Sequence, residues 1–93
     1  MANKKENAMI LMEEIIQGIE NVKGESIQKM DLRKIENTPF EFFVICSGNS
    51  NTQVSAIVNS IQKNVSKRLH EKPLHTEGLE MSEWVLIDYV NVV

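Results

Sequence analysis

The stretch EFFVICSGNSNTQVSAIV, residues 41–58, contains a change of period. Apart from Glu41, the run from Phe40 to Cys46 is apolar, which reads as a central strand covered on both faces. Ser47-Gly48-Asn49-Ser50 comes next, built from small turn-forming residues. Beyond it Val54, Ile57, Val58, Ile61, Val65 and Leu69 form one stripe at helical spacing, with Lys63, Asn64, Ser66, Lys67 and Arg68 facing away. Strand, tight turn, helix is a layout shared by phosphate-binding enzymes and by junctions that only hold themselves together. The residues of the turn have to decide between them.

A phosphate cradle needs several glycines, so that backbone N–H groups can close on the anion. This turn has Gly48 alone, with no lysine beside a serine or threonine. A nucleotidyltransferase needs, after its Gly-Ser turn, two carboxylates at i and i+2 on a strand, aimed together at metal ions. Here the position two after Asp88 is Val90, and Glu77, Glu80 and Glu83 are spread across a turn. The structural account is complete by contrast. Ser50 is a good N-cap and Gln53 completes a capping box, a device worth about 1 kcal/mol. A nucleotide-binding enzyme using Gly48-Asn49-Ser50 stays open as a competing reading, and so does a homodimeric interaction module.

Working outward, Met9, Met12, Ile16 and Ile19, with Ile15 and Val22 on the same broad face, predict a helix over residues 5–22 that stops near Gly24. Residues 25–35 alternate, with Ile27, Lys29, Asp31, Arg33 and Ile35 on one face and Met30 and Leu32 on the other, as in a half-buried strand. Asn37 and Pro39 predict a turn. Downstream, a short strand near Leu74 to Thr76, a turn at Gly78, a strand from Glu83 to Asp88 and a last strand beginning near Asn91 are expected. The fold class is α+β: a small mixed β-sheet with two helices packed on one face and the other face left open.

At 93 residues the chain is expected to be a single domain, residues 1–93, and its end in the middle of a strand is expected to be a C-terminal truncation. A net charge of −3 gives no electrostatic footprint for nucleic acid, so no direct nucleic-acid contact is expected. Lys4-Lys5 and the Lys63, Lys67, Arg68 group read as a solvated terminus and a solvated helix face. A lone cysteine in an apolar run, no secretory pattern and no membrane-length apolar run point to a cytoplasmic protein without membrane contact. His70 and His75 with one distant cysteine make no zinc set, and Cys46 reads as core, so no metal, cofactor or catalytic residue is expected.

Two stretches carry a resemblance. FFVICSGNSNTQVSAIVNSI, residues 42–61, is similar to a strand-turn-helix motif of aromatic, Val, Ile, two residues, Gly, one residue, Ser, then an amphipathic helix. EGLEMSEWVLIDYVNVV, residues 77–93, resembles a second motif: Glu-Gly, a tryptophan about six residues on, then an apolar strand ending in Asp. Both belong to the ribosomal silencing factors, the Iojap family, and the resemblance runs from about Ile10 to Val93. It implies a nucleotidyltransferase-like fold without the catalytic acids. It also implies a translation repressor that binds the large ribosomal subunit through its protein fourteen and blocks subunit joining, with relatives acting in large-subunit assembly. The implied partner contacts are Glu77, Gly78, Trp84 and Asp88, to which strand alternation adds Leu86 beside Trp84. The family often pairs, so a homodimer is a further expectation. One departure stands out: where the family usually has Gly-Asp, this chain has Val90-Asn91.

Overall fold

The computed structural model describes residues 4–35, 37, 40–81 and 83–93, without the side chains of residues 4–7. Along the first helix, α1 (Lys4–Asn21), the buried face is Ala8, Leu11, Met12, Ile15 and Ile19, with Gly18 buried among them. This face is turned by about one residue from the expected stripe: Met9 is exposed and Ile16 only half-buried. The reason is that α1 makes its close contact through its small residues. Gly18 lies against Ser60 and Ile61 of the second helix, α2 (Asn51–Leu69). The α2 face follows the stripe, with Ile57, Val58, Ile61 and Val65 buried and Val54 and Leu69 half-buried. Helix α1 closes on Lys23 in the left-handed conformation (φ 59°), one residue before Gly24, with the Gly24 N–H donating to Ile19 O at 2.9 Å.

The strands are β1 (Glu25–Asp31), β2 (Phe42–Ser47), β3 (His75–Glu77) and β4 (Leu86–Asp88). They pair as two antiparallel ribbons, β1 with β2 and β3 with β4. Gln28 faces Ile45 and Asp31 faces Phe42, while a bulge between Glu25 and Gln28 places Ser26 at φ 54°. Strand β1 stops at Asp31 because its carboxylate captures Arg33: it accepts the Arg33 backbone N–H at 3.0 Å and the Arg33 Nη2 at 2.6 Å. That guanidinium, which also lies 5.0 Å over the Phe42 ring, holds the Asp31 carboxyl down to about 2. The turn expected at residues 36–39 lies mostly outside the described residues, although Asn37 is left-handed at φ 67°.

Beyond β4 the chain returns to β2. Val92 bridges Phe42 in parallel, Val93 N–H donates to Phe42 O at 3.1 Å, and Val44 N–H donates to Val93 O at 2.9 Å. Strand β2 is therefore central, with β1 on one edge and residues 91–93 on the other. Only one of its faces is covered, against the expectation for an apolar run. Phe42, Val44 and Cys46 meet the helical core, while Ile45 is 45% exposed on the opposite face. The fold class is α+β as expected, and among the described residues the parallel bridge between Val92 and Phe42 adds a parallel pairing to the two antiparallel ribbons.

Candidate functional site

The turn after β2 satisfies itself. Ser50 has extended backbone (φ −156°, ψ 166°) and its Oγ accepts the Gln53 N–H at 3.1 Å. The Gln53 Oε1 accepts the N–H of Asn49, one residue earlier than a capping box requires. Its Nε2 donates to Lys23 O at 3.0 Å and so ties the start of α2 to the end of α1. Ser47 Oγ donates to Glu25 O at 3.3 Å, and the Asn49 amide, with its NH2 turned inward, lies 3.0 Å from the Glu25 carboxylate. These donors are committed to the protein, and the Glu25 carboxylate beside Asn49 adds a negative charge that would repel an anion at this turn. Cys46 is half-buried and burial pushes its thiol pKa up, away from the nucleophilic thiolate. Among the described residues no three His, Cys, Asp or Glu side chains gather as a metal site, and no helix is long and apolar enough to cross a membrane.

The residues of the second motif come together on the β3–β4 hairpin. Glu77 faces Leu86 in the register, and His75 faces Asp88. Gly78 follows β3 at φ 83°, with its Cα packed on the Trp84 carbonyl, so that an added Cβ would stand 2.1 Å from that oxygen. This approach fixes Trp84 in a bend before β4, which begins at Leu86 rather than at Glu83. The expected alternation of Trp84 with Leu86 and Asp88 along one strand face therefore starts only at Leu86. Trp84 is 62% exposed. Glu77 turns its carboxylate to His75 Nε2 at 2.9 Å, and Asp88 accepts the Val90 N–H at 2.8 Å. The alternation missed Leu74 and Met81, which are 72% and 63% exposed on the same hairpin; in the sequence they look like core residues, since only the short strands leave them outside.

A family model described as ribosomal silencing factor during starvation matches residues 4–93. The chain belongs to this family. It is 36% identical over 78 residues to the ribosomal silencing factor of Chromobacterium violaceum, covering 84% of this chain and 62% of that protein. To the ribosomal silencing factor of Halalkalibacterium halodurans it is 32% identical over 83 residues, covering 89% of this chain and 69% of that protein. The chain thus spans less than two thirds of the Chromobacterium relative's length. A crystal structure of a Chromobacterium violaceum protein is similar with a TM-score of 0.82 at 31% identity, over 90% of this chain and 68% of that one. A Bacillus halodurans structure gives 0.80 at 30% identity, over 90% and 76%.

At Val90-Asn91, where the resemblance led to an expectation of Gly-Asp, the backbone takes an unusual turn. Val90 is the centre of a three-residue turn closed by Asn91 N–H to Tyr89 O at 3.0 Å, and it sits at φ 76°. That is the strained form of this turn, and a β-branched residue suits it poorly. Relief of left-handed strain is worth roughly 1–2 kcal/mol, against roughly 0.5–1 kcal/mol for the freedom glycine adds to the unfolded chain. Val90 is half-exposed, so little burial is lost. Val90→Gly is expected to stabilise the chain by about 1 kcal/mol, raising the thermal midpoint by about 4–8 °C. An unchanged or lower midpoint would show that the valine is not strained.

Proposed function

We propose that this chain is a non-enzymatic, cytoplasmic ribosomal silencing factor. It binds the large ribosomal subunit through protein fourteen of that subunit, covers the face that meets the small subunit, and so blocks subunit joining. Trp84 is the observation that carries this reading. Trp84 stands mostly in solvent in the bend before β4, held by Gly78, on the hairpin that bears the family's second motif. Tryptophan anchors are frequent hot spots, and Leu74 and Met81 extend the apolar surface around the hairpin. Leu86 and Gly78 support the anchor, while Glu77 and Asp88 add charge at its margin.

Co-sedimentation with purified large subunits tests it. The wild type is expected in the subunit fraction, and Trp84→Ala is expected to bind about 30-fold more weakly, the equivalent of about 2 kcal/mol. Because the side chain is exposed, the variant keeps its thermal midpoint. Equal binding by both proteins removes Trp84 from the interface, and absence of both from the subunit fraction counts against the silencing reading.

A homodimer is the second reading, favoured by the outer face of the β1–β2 ribbon. Met30 and Ile45 lie there, both largely exposed, beside half-buried Phe43. Sedimentation equilibrium of wild type and Ile45→Lys decides it: a dimer that the lysine dissociates supports this face, and a concentration-independent monomer removes it.

A further inference from the structure

The chain carries one cysteine and five methionines, and the described ones differ in what can reach their sulfur. Met12 is buried in the core. Cys46 is half-buried, and that burial pushes its thiol pKa up, which keeps it out of the reactive thiolate form. Met9 on α1 and Met30 on β1 are 42% and 41% exposed. Met81 is 63% exposed, the most open sulfur among the described residues. It sits in the turn at residues 79–81, between β3 and β4. A thioether needs no deprotonation to react with a peroxide, so access decides which methionine goes first. Met81 is also the only sulfur on the hairpin, where Leu74, Leu79 and Trp84 are exposed with it.

We propose that Met81 is a reversible oxidation site that sets the affinity of the hairpin for its partner surface. Hydrogen peroxide is the oxidant. The thioether sulfur attacks one peroxide oxygen and the O–O bond breaks. The departing hydroxide takes the proton from the transferred oxygen and leaves as water. The sulfur has then given up two electrons and become the sulfoxide. This puts a strong S–O dipole into an apolar surface, and covering that surface takes a polar oxygen out of water. A thiol-dependent sulfoxide reductase reverses the step: two thiols supply two electrons and become a disulfide, and the oxygen leaves as water. Met81 lies outside the core, so the fold survives oxidation while the contact surface is altered. The inference rests on the silencing reading, in which the hairpin is the contact surface.

The purified chain is treated with hydrogen peroxide, its sulfoxides are mapped by mass spectrometry, and co-sedimentation with purified large subunits is measured before and after. Met81 is expected to oxidise ahead of Met9 and Met30, with binding about tenfold weaker and the thermal midpoint unchanged. Reductase treatment is expected to return the affinity. In Met81→Leu, peroxide is expected to leave binding at that variant's own untreated level. This variant keeps Cys46 and the other methionines, so any loss there belongs to them. Met81→Gln, which carries a permanent polar group, is expected to bind weakly before peroxide and to be indifferent to it. Oxidation of Met81 no faster than that of Met9 and Met30, full binding by the Met81 sulfoxide, or a loss in Met81→Leu equal to that of the wild type would each overturn the site. An untreated wild type absent from the subunit fraction is a different failure: it refutes the silencing reading and takes this proposal with it.

Discussion

Replacing Gly78 with alanine is expected to destabilise the chain by roughly 2–5 kcal/mol and to weaken the proposed large-subunit binding although the Trp84 residue itself is unchanged. Two separate penalties combine. The backbone sits at φ 83°, where an alanine is strained by roughly 1–2 kcal/mol. The new methyl would also stand 2.1 Å from the Trp84 carbonyl oxygen, an overpacking fault of roughly 1–3 kcal/mol. The obstacle is backbone, so no rotamer can move aside. The hairpin has only three paired positions to resist with, and it opens or carries Trp84 to a new place. Urea unfolding measures the loss, and the shift of the tryptophan emission reports the displacement, since Trp84 is the only tryptophan. A double variant with Trp84→Ala separates the causes: the clash is with the carbonyl, not mainly the indole, so removing the ring is expected to leave the instability intact. Rescue by Trp84→Ala, or an unchanged midpoint for the single variant, would disprove the contact.

How much of this was legible in the residues depends on what each one carries. Helix α2 was plain because its stripe is made of bulky residues and its start is marked by Ser50 and Gln53. The α1 face was displaced because Ala8 and Gly18, which stand at the closest contact, have almost no hydrophobic bulk to signal it. The central place of β2 was readable from its apolar run. Its bare outer face was not, since one strand's composition says nothing of the side on which both helices pack. On the hairpin, the turn at Gly78 and a strand ending at Asp88 were readable from the sequence, but the start of that strand at Leu86, which leaves Trp84 outside the expected alternation, was not. The local ties of Asp88 and Glu77 were hidden too. Asp88 serves its own turn through the Val90 N–H, and Glu77 is taken up by His75 two residues before it. Both ties depend on turn geometry and register, which short strands set through contacts rather than through pattern.

The second large effect lies at Gly18, and here helix propensity and packing point in opposite directions. In an exposed helix, alanine is better than glycine by about 1 kcal/mol, because glycine loses more backbone freedom. A stability argument from propensity alone therefore ranks Gly18→Ala above the wild type. The contact surface says otherwise. A Cβ on Gly18 would stand 2.8 Å from the Cα of Ile61, 3.0 Å from its N and 3.1 Å from Ser60 O. All three are backbone atoms of α2, so the helices themselves must separate. Separation loosens the fully and nearly fully buried Leu11, Ile15, Ile19, Ile61 and Val65 together. With overpacking at roughly 1–3 kcal/mol and the propensity gain deducted, Gly18→Ala is expected to lose about 1 kcal/mol. Valine adds two more carbons and a poorer helix propensity, so Gly18→Val is expected to lose about 3 kcal/mol or more. Against a total stability of about 5–15 kcal/mol for folded domains, the valine variant is close to the limit of folding. Urea midpoints in the order wild type, alanine, valine require the tight crossing. An alanine variant more stable than the wild type would mean that propensity governs, and that the two helices leave room for a methyl group at Gly18.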